Sequence, residues 1–203
     1  MHENGGVDRT LRPRSTGILG RVHPVVPFLI WFPVAVGTIA LGVRRGIAAP
    51  TLVGLVAVGW AAWTLVEYVL HRWAFHWEPR NPRLRELLHP VHHAHHEAQG
   101  RDRVVAHPLF SAALALVFFG LFRLLLGAPA VFPFFGGFAL GYLVYELIHY
   151  RAHFSRPRTR VGSSLRRRHL QHHFARSDRW YGVSSPIWDY VFRTHVPARR
   201  KNA

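Results

Sequence analysis

Four apolar blocks alternate with polar, basic stretches along the 203-residue chain. The first is "VVPFLIWFPVAVGTIALGV", residues 25–43; the others cover about 48–70, 107–126 and 128–148. At about 1.5 Å per residue, helices of this length cross an apolar core of about 30 Å. The pattern predicts an all-α integral membrane protein with four transmembrane helices. Pro27, Pro33 and Pro133 are expected near helix ends, where a missing backbone donor is least costly.

The links "RRG" (Arg44–Gly46) and "GAP" (Gly127–Pro129) are short, so the blocks form two helical hairpins. A polar insert, 71–106, follows the first hairpin, and a polar tail, 149–203, follows the second. If each block crosses once, the N-terminus, insert and tail share one side. They carry 4, 6 and 13 basic residues, against Arg44 and Arg45 opposite. That asymmetry assigns the basic side to the cytosol; Arg123 lies near the far end of the third block and can snorkel outward. Residues 1–23 have no short apolar core with a small-residue cleavage site, so they are not read as a signal peptide and are expected to be loosely ordered. The division is a basic N-terminal segment, 1–24, and one membrane-embedded domain, 25–203, with a cytosolic, helical, histidine-rich cap.

Charge alone would allow other partners. The 26 basic residues, 25 of them Arg, leave a net +16, which suits nucleic acid, an anionic membrane or an acidic protein. The long apolar blocks decide for the membrane and against nucleic acid. With no cysteine there is neither a disulfide nor a thiolate metal site.

The candidate chemistry lies in the 16 histidines. Ten form four groups: His71 and His76; His89, His92 and His93; His149 and His153; His169, His172 and His173. Each group begins at or just beyond the basic-side end of a membrane helix. Residues three or four apart share a helix face, so His149 and His153 can face one metal. Neighbours diverge by about 100°, so His92 and His93, or His172 and His173, can reach two different ions. His71 and His76 are five apart and share a site only if the helix ends or bends between them. Ten imidazoles suit two closely spaced ions, and imidazole serves iron, zinc, copper and nickel alike. His2, His23, His95, His96, His107 and His195 fit no group; His95 and His96 extend the second and are read as solvated loop residues.

Glu67 and Glu146 lie one turn deeper than His71 and His149, where an ionisable group is costly and functional by default. They are expected to accept the other ring proton of a ligand histidine. Asp189, in "IWDY", is a further candidate for that role. The segment "WYGVSSPIWDYVFRT" (Trp180–Thr194) is aromatic and amphiphilic and is read as lying along the bilayer surface over the site.

In this order, "EYVLHRWAFH", "LHPVHH", "YELIHYRAH", "HLQHH" and "GVSSPIWDYVFRT" resemble the fatty acid hydroxylase superfamily, most closely its fatty acid and ceramide 2-hydroxylases. The likeness runs from about Glu67 to Thr194. It implies a dimetal oxygenase that hydroxylates a fatty acyl chain at carbon 2 with O2 and two electrons. It also implies that the ten grouped histidines are the metal ligands. A fused cytochrome b5 domain, frequent in eukaryotic relatives, is not expected in this chain, so a separate donor of cytochrome b5 or ferredoxin type is. The family's "YD" before the third group is "YE" here, and "AHHEAQGRDR" replaces a proline-and-aspartate stretch.

C–H oxidation needs a redox metal. Zinc has no redox chemistry, so two iron ions are expected, although zinc outcompetes ferrous iron for such ligands and can occupy a purified sample. Arg72, Arg83, Arg85 and Arg151 are candidates to attract a lipid head group or an acidic donor. Carotenoid and sterol hydroxylases and desaturases with similar histidine boxes are the nearest alternatives; a zinc-dependent membrane hydrolase is a more distant one. A metal transporter would need polar residues through the mid-bilayer, and here they stay at one face.

Overall fold

A computed structural model of the chain describes residues 22–77, 79–84, 96, 100–101 and 104–196. The N-terminal segment expected to be loosely ordered lies outside these residues except at its end, as do His89, His92, His93, His95 and Arg85. The described elements are helical. They are α1 (Val26–Arg44), α2 (Ala49–Val69) continued by a π-helical segment (Leu70–Phe75), α3 (Pro108–Leu126), α4 (Val131–Phe154), α5 (Arg160–Phe174) and the short α6 (Ile187–Val191).

Helices α1, α2 and α3 open with a proline in the first turn, where its fixed φ is already helical. The His107 ring caps α3 by accepting from the Leu109 N–H, which accounts for one ungrouped histidine. Gly127, at φ 69°, ends α3. Pro33 departs from expectation, because it lies well inside α1.

Among the described residues, four helices are long and apolar enough to cross a membrane: Val26–Arg44, Ala49–Phe75, Pro108–Leu126 and Val131–Phe154. The second has 27 residues and the fourth 24, so they exceed the roughly 20 a span requires. The excess extends both past the apolar blocks at their C-terminal ends, which is where their histidines lie.

Short links do not make the tightest pairs. Helix α4 packs along both α1 and α2, which touch each other only sparsely. Its glycines permit this. A Cβ at Gly137 would lie 2.0 Å from the Val56 carbonyl oxygen, and one at Gly59 the same distance from that of Phe134. Small residues of this kind let membrane helices approach backbone to backbone. Around the seam, Trp63 meets Phe138 and Tyr142 edge-on. Gly137→Ala should therefore push α2 off α4 and cost upwards of about 3 kcal/mol. Gly54→Ala, which meets nothing within 4 Å, should be neutral; thermal unfolding in detergent compares the two.

Helix α3 meets α4 through phenylalanine rings rather than close backbone approach. It turns Leu116, Leu124 and Leu125 outward and is tied to α1 by the Trp31 indole N–H donating to Ser111 Oγ at 3.1 Å. Between it and the other three helices lies an apolar cavity. Glu67, His71 and Tyr145 line one end of the cavity, and Phe118, Phe135 and Phe138 line the other.

Candidate metal centre

Among the described residues, eight histidines gather into two groups of four at the end of the bundle where α2 and α4 finish. One group is His71, His76, His96 and His172; the other is His149, His153, His169 and His173. Within each, one ring nitrogen per residue lies within 4.8 Å of all the others.

Local structure accounts for each position. The π-helical segment settles the five-residue interval between His71 and His76. In an i→i+5 helix such residues fall nearly above one another, and the His76 N–H bonds the His71 carbonyl. Their rings are 5.1 Å apart. His149 and His153 share a face of α4, one turn apart. On α5 the neighbours diverge as expected: His172 joins the first group and His173 the second. One short helix thus forms a wall of both sites.

His96 corrects the sequence reading. It is not a solvated loop residue but half-buried in the first group, stacked on His173 at 3.8 Å between ring centres. The signal was present in the sequence. "HPVHHAHH" contains the spacing H-x-x-H-H twice, as His89, His92, His93 and as His92, His95, His96. The grouping read from the sequence follows the first register, and His96 belongs to the second.

The carboxylates also act differently from expectation. Glu67 accepts from the backbone N–H groups of Val183 (2.6 Å) and Ser184 (2.9 Å) and from the Ser184 hydroxyl. Asp189 is fully buried and accepts from Tyr181 N–H, Gly182 N–H and Thr194 Oγ1 at 2.8–2.9 Å. Glu146 accepts from the Ala106 N–H at 3.1 Å. Glu67 and Asp189 hold the backbone of 181–184, next to the carbonyls that hold two of the imidazoles. The Tyr181 carbonyl accepts from His71 Nδ1, and the Arg179 carbonyl accepts from His172 Nδ1 at 2.7 Å. A ring N–H bonded to a carbonyl fixes tautomer and tilt as well as a carboxylate would. The same tail covers the site while exposing Ile187, Tyr190 and Val191, and the Trp188 indole N–H bonds Thr64 Oγ1. Of the arginines considered, Arg151 is exposed, and Arg72 donates to the Tyr68 hydroxyl and lies over the Trp73 ring at 4.9 Å.

The donor set fits metal ions. With Nδ1 donating to Arg179, His172 directs its Nε2 lone pair at His76 Nε2, 2.9 Å away; His153 and His169 face each other at 2.8 Å. Adjacent ligands on an ion at about 2.0–2.1 Å stand about 2.9–3.4 Å apart. Burial pushes the His172 imidazole down to about 4 and His169 well below its ordinary value. Both are therefore neutral at pH 7, the form that ligates. Each group could hold one ion.

A helical membrane bundle with paired four-histidine groups at one end of an apolar cavity defines a class of membrane metalloprotein, and comparison with known proteins gives the family. The chain belongs to the fatty acid hydroxylase family, which residues 56–194 match. It is 36% identical over 170 residues to the dihydroceramide fatty acyl 2-hydroxylase FAH1 of Arabidopsis thaliana, covering 82% of this chain and 70% of that one. It is 36% identical over 151 residues to the fatty acid 2-hydroxylase of Rattus norvegicus, covering 71% of this chain and 40% of the relative. The visible hydroxylase domain of full-length scs7p superposes with a TM-score of 0.83 at 29% identity, over 88% of this chain and 69% of that chain. The protein is accordingly a multi-pass membrane protein.

Proposed function

We propose that the protein is a di-iron hydroxylase that inserts oxygen at carbon 2 of a fatty acyl chain. The observation that carries this reading is the placement of the apolar cavity beneath the histidine groups, with His71 of the first group in its lining. The 2-hydroxylases among its relatives supply the carbon number. In the net reaction one oxygen atom of O2 enters the C–H bond and the other leaves as water, using two electrons and two protons. Iron held by the histidines would supply the O2 and redox chemistry.

The chain's own residues do the rest. His71, His76, His96 and His172 hold one ion, and His149, His153, His169 and His173 the other. His89, His92 and His93 remain candidates by spacing, and His95 joins them in the register that includes His96. Glu67, Glu146 and Asp189 keep the surrounding backbone in place. The cavity walls align the acyl chain and exclude water, with its carboxyl end at the basic face. By charge asymmetry that face is cytosolic, and there a separate cytochrome b5 or ferredoxin type donor would deliver electrons.

Lipid mass spectrometry after expression in a host without hydroxy fatty acids tests the reading. Lipids with 2-hydroxy acyl chains are expected in air and not without O2. Unchanged lipids from folded, iron-loaded protein with a competent reductant would refute it. Hydrolysis products formed without O2 or reductant would point to zinc hydrolase chemistry instead.

A further inference from the structure

At the end of the cavity away from His71 the lining is aromatic, with Phe118 of α3 and Phe135 and Phe138 of α4. Phe118 of α3 meets Phe138 of α4 there, with ring centres 5.4 Å apart. Behind them Phe122 packs against both, at 5.9 Å from Phe118 and 5.1 Å from Phe138. Phe122 is buried and is not part of the lining. Above this floor the lining includes small side chains, Ala115 on α3 and Ala139 on α4. Above those stand Ser111 and Trp31, whose hydroxyl and indole bond each other and so present no free polar group to the cavity. From Phe110 at the upper end to Phe118 the lining follows α3 for about 12 Å.

We infer that the Phe118–Phe138 floor sets the longest acyl chain the protein accepts; the inference rests on the acyl hydroxylase reading above. The physical reason is the solvent. A chain drawn from a bilayer leaves surroundings as apolar as the cavity, so additional methylenes gain little by entering. Length selection must then come from exclusion. The carbon to be oxidised is fixed at the His71 end, so a chain too long for the floor has to buckle against walls that are already packed. Shorter chains leave part of the cavity for other apolar groups and are accepted. The expected profile has an upper limit and no sharp lower one.

Two substitutions should move that limit in opposite directions. Phe118→Ala opens the floor into the space held by its ring, and Ala115→Leu fills the cavity one helical turn above it. Membranes containing wild type or either variant are supplied with a ladder of saturated acyl chains. Hydroxylated products are then counted by length, separately for free fatty acids and for sphingolipid-linked chains. Relative to wild type, the ratio of longest to shortest product should rise at least about tenfold in Phe118→Ala and fall at least about tenfold in Ala115→Leu, the scale of discrimination by a methylene-sized change. Metal content per chain serves as the folding control and should match wild type in both. Because the shifts are opposite in sign, general destabilisation cannot mimic them. A wild-type product profile that neither folded variant alters would overturn the floor. Absence of any hydroxylated chain from wild type would instead overturn the underlying reading. If only one pool, free or sphingolipid-linked, is hydroxylated, the same shift within that pool supports the floor and identifies its source.

Discussion

His172→Ala and His173→Ala are each expected to remove about one metal equivalent per chain and to lower hydroxylation by well over about 100-fold. The substitutions are neighbours, yet they should empty different sites. His172 lies with His71, His76 and His96, and His173 with His149, His153 and His169. Disturbing a residue that merely orients a ligand typically costs about 10–100-fold, and losing the ligand should cost more. The double variant should lose both ions. Metal analysis of purified protein gives the count, and lipid mass spectrometry gives the activity. If either single substitution removed all the metal, the eight histidines would form one site and the division between two faces of α5 would be wrong.

Asp189→Ala should be nearly as damaging without touching a ligand. It leaves the Tyr181 and Gly182 N–H groups and the Thr194 hydroxyl without their acceptor. A buried unsatisfied donor costs about 1–3 kcal/mol, so the three together cost about 3–9 kcal/mol. The tail over the first group then loosens, and His71 and His172 lose the carbonyls that fix their tautomers. The first ion should be lost while the second group keeps its own. Limited proteolysis should show new cleavage within 175–195. Loss of the second ion with retention of the first would contradict the assignment of this segment to the first group.

Periodicity made the spans legible, because a helix crossing an apolar layer must be apolar throughout. The 100° step between successive residues likewise sufficed to separate His172 from His173. The bundle's internal arrangement was less accessible. Link length suggested two hairpins, whereas the close packing is set by Gly137 against Val56 and Gly59 against Phe134; only the run of small residues on α4 hinted at that. Glu67 was expected to serve the histidine one turn away, but its partners are Val183 and Ser184, more than a hundred residues later. Sequence proximity cannot anticipate such a pairing. The His71–His76 interval was open until the π-helical turn closed it. His96 was missed for a plainer reason, since two overlapping registers of the same spacing fit one run of histidines.

The two groups also differ in how far apart along the chain their members lie. His153 and His169 face each other across 16 residues, within the single turn from α4 into α5. His76 and His172 meet across 96. Closing the longer loop costs about 1.6 kcal/mol more in chain entropy. The second group can assemble as soon as α5 folds back on α4, whereas the first waits for three separate regions of the chain and for the tail that orients it. The second site is thus built within one helix–turn–helix, whereas the first closes only in the fully assembled bundle.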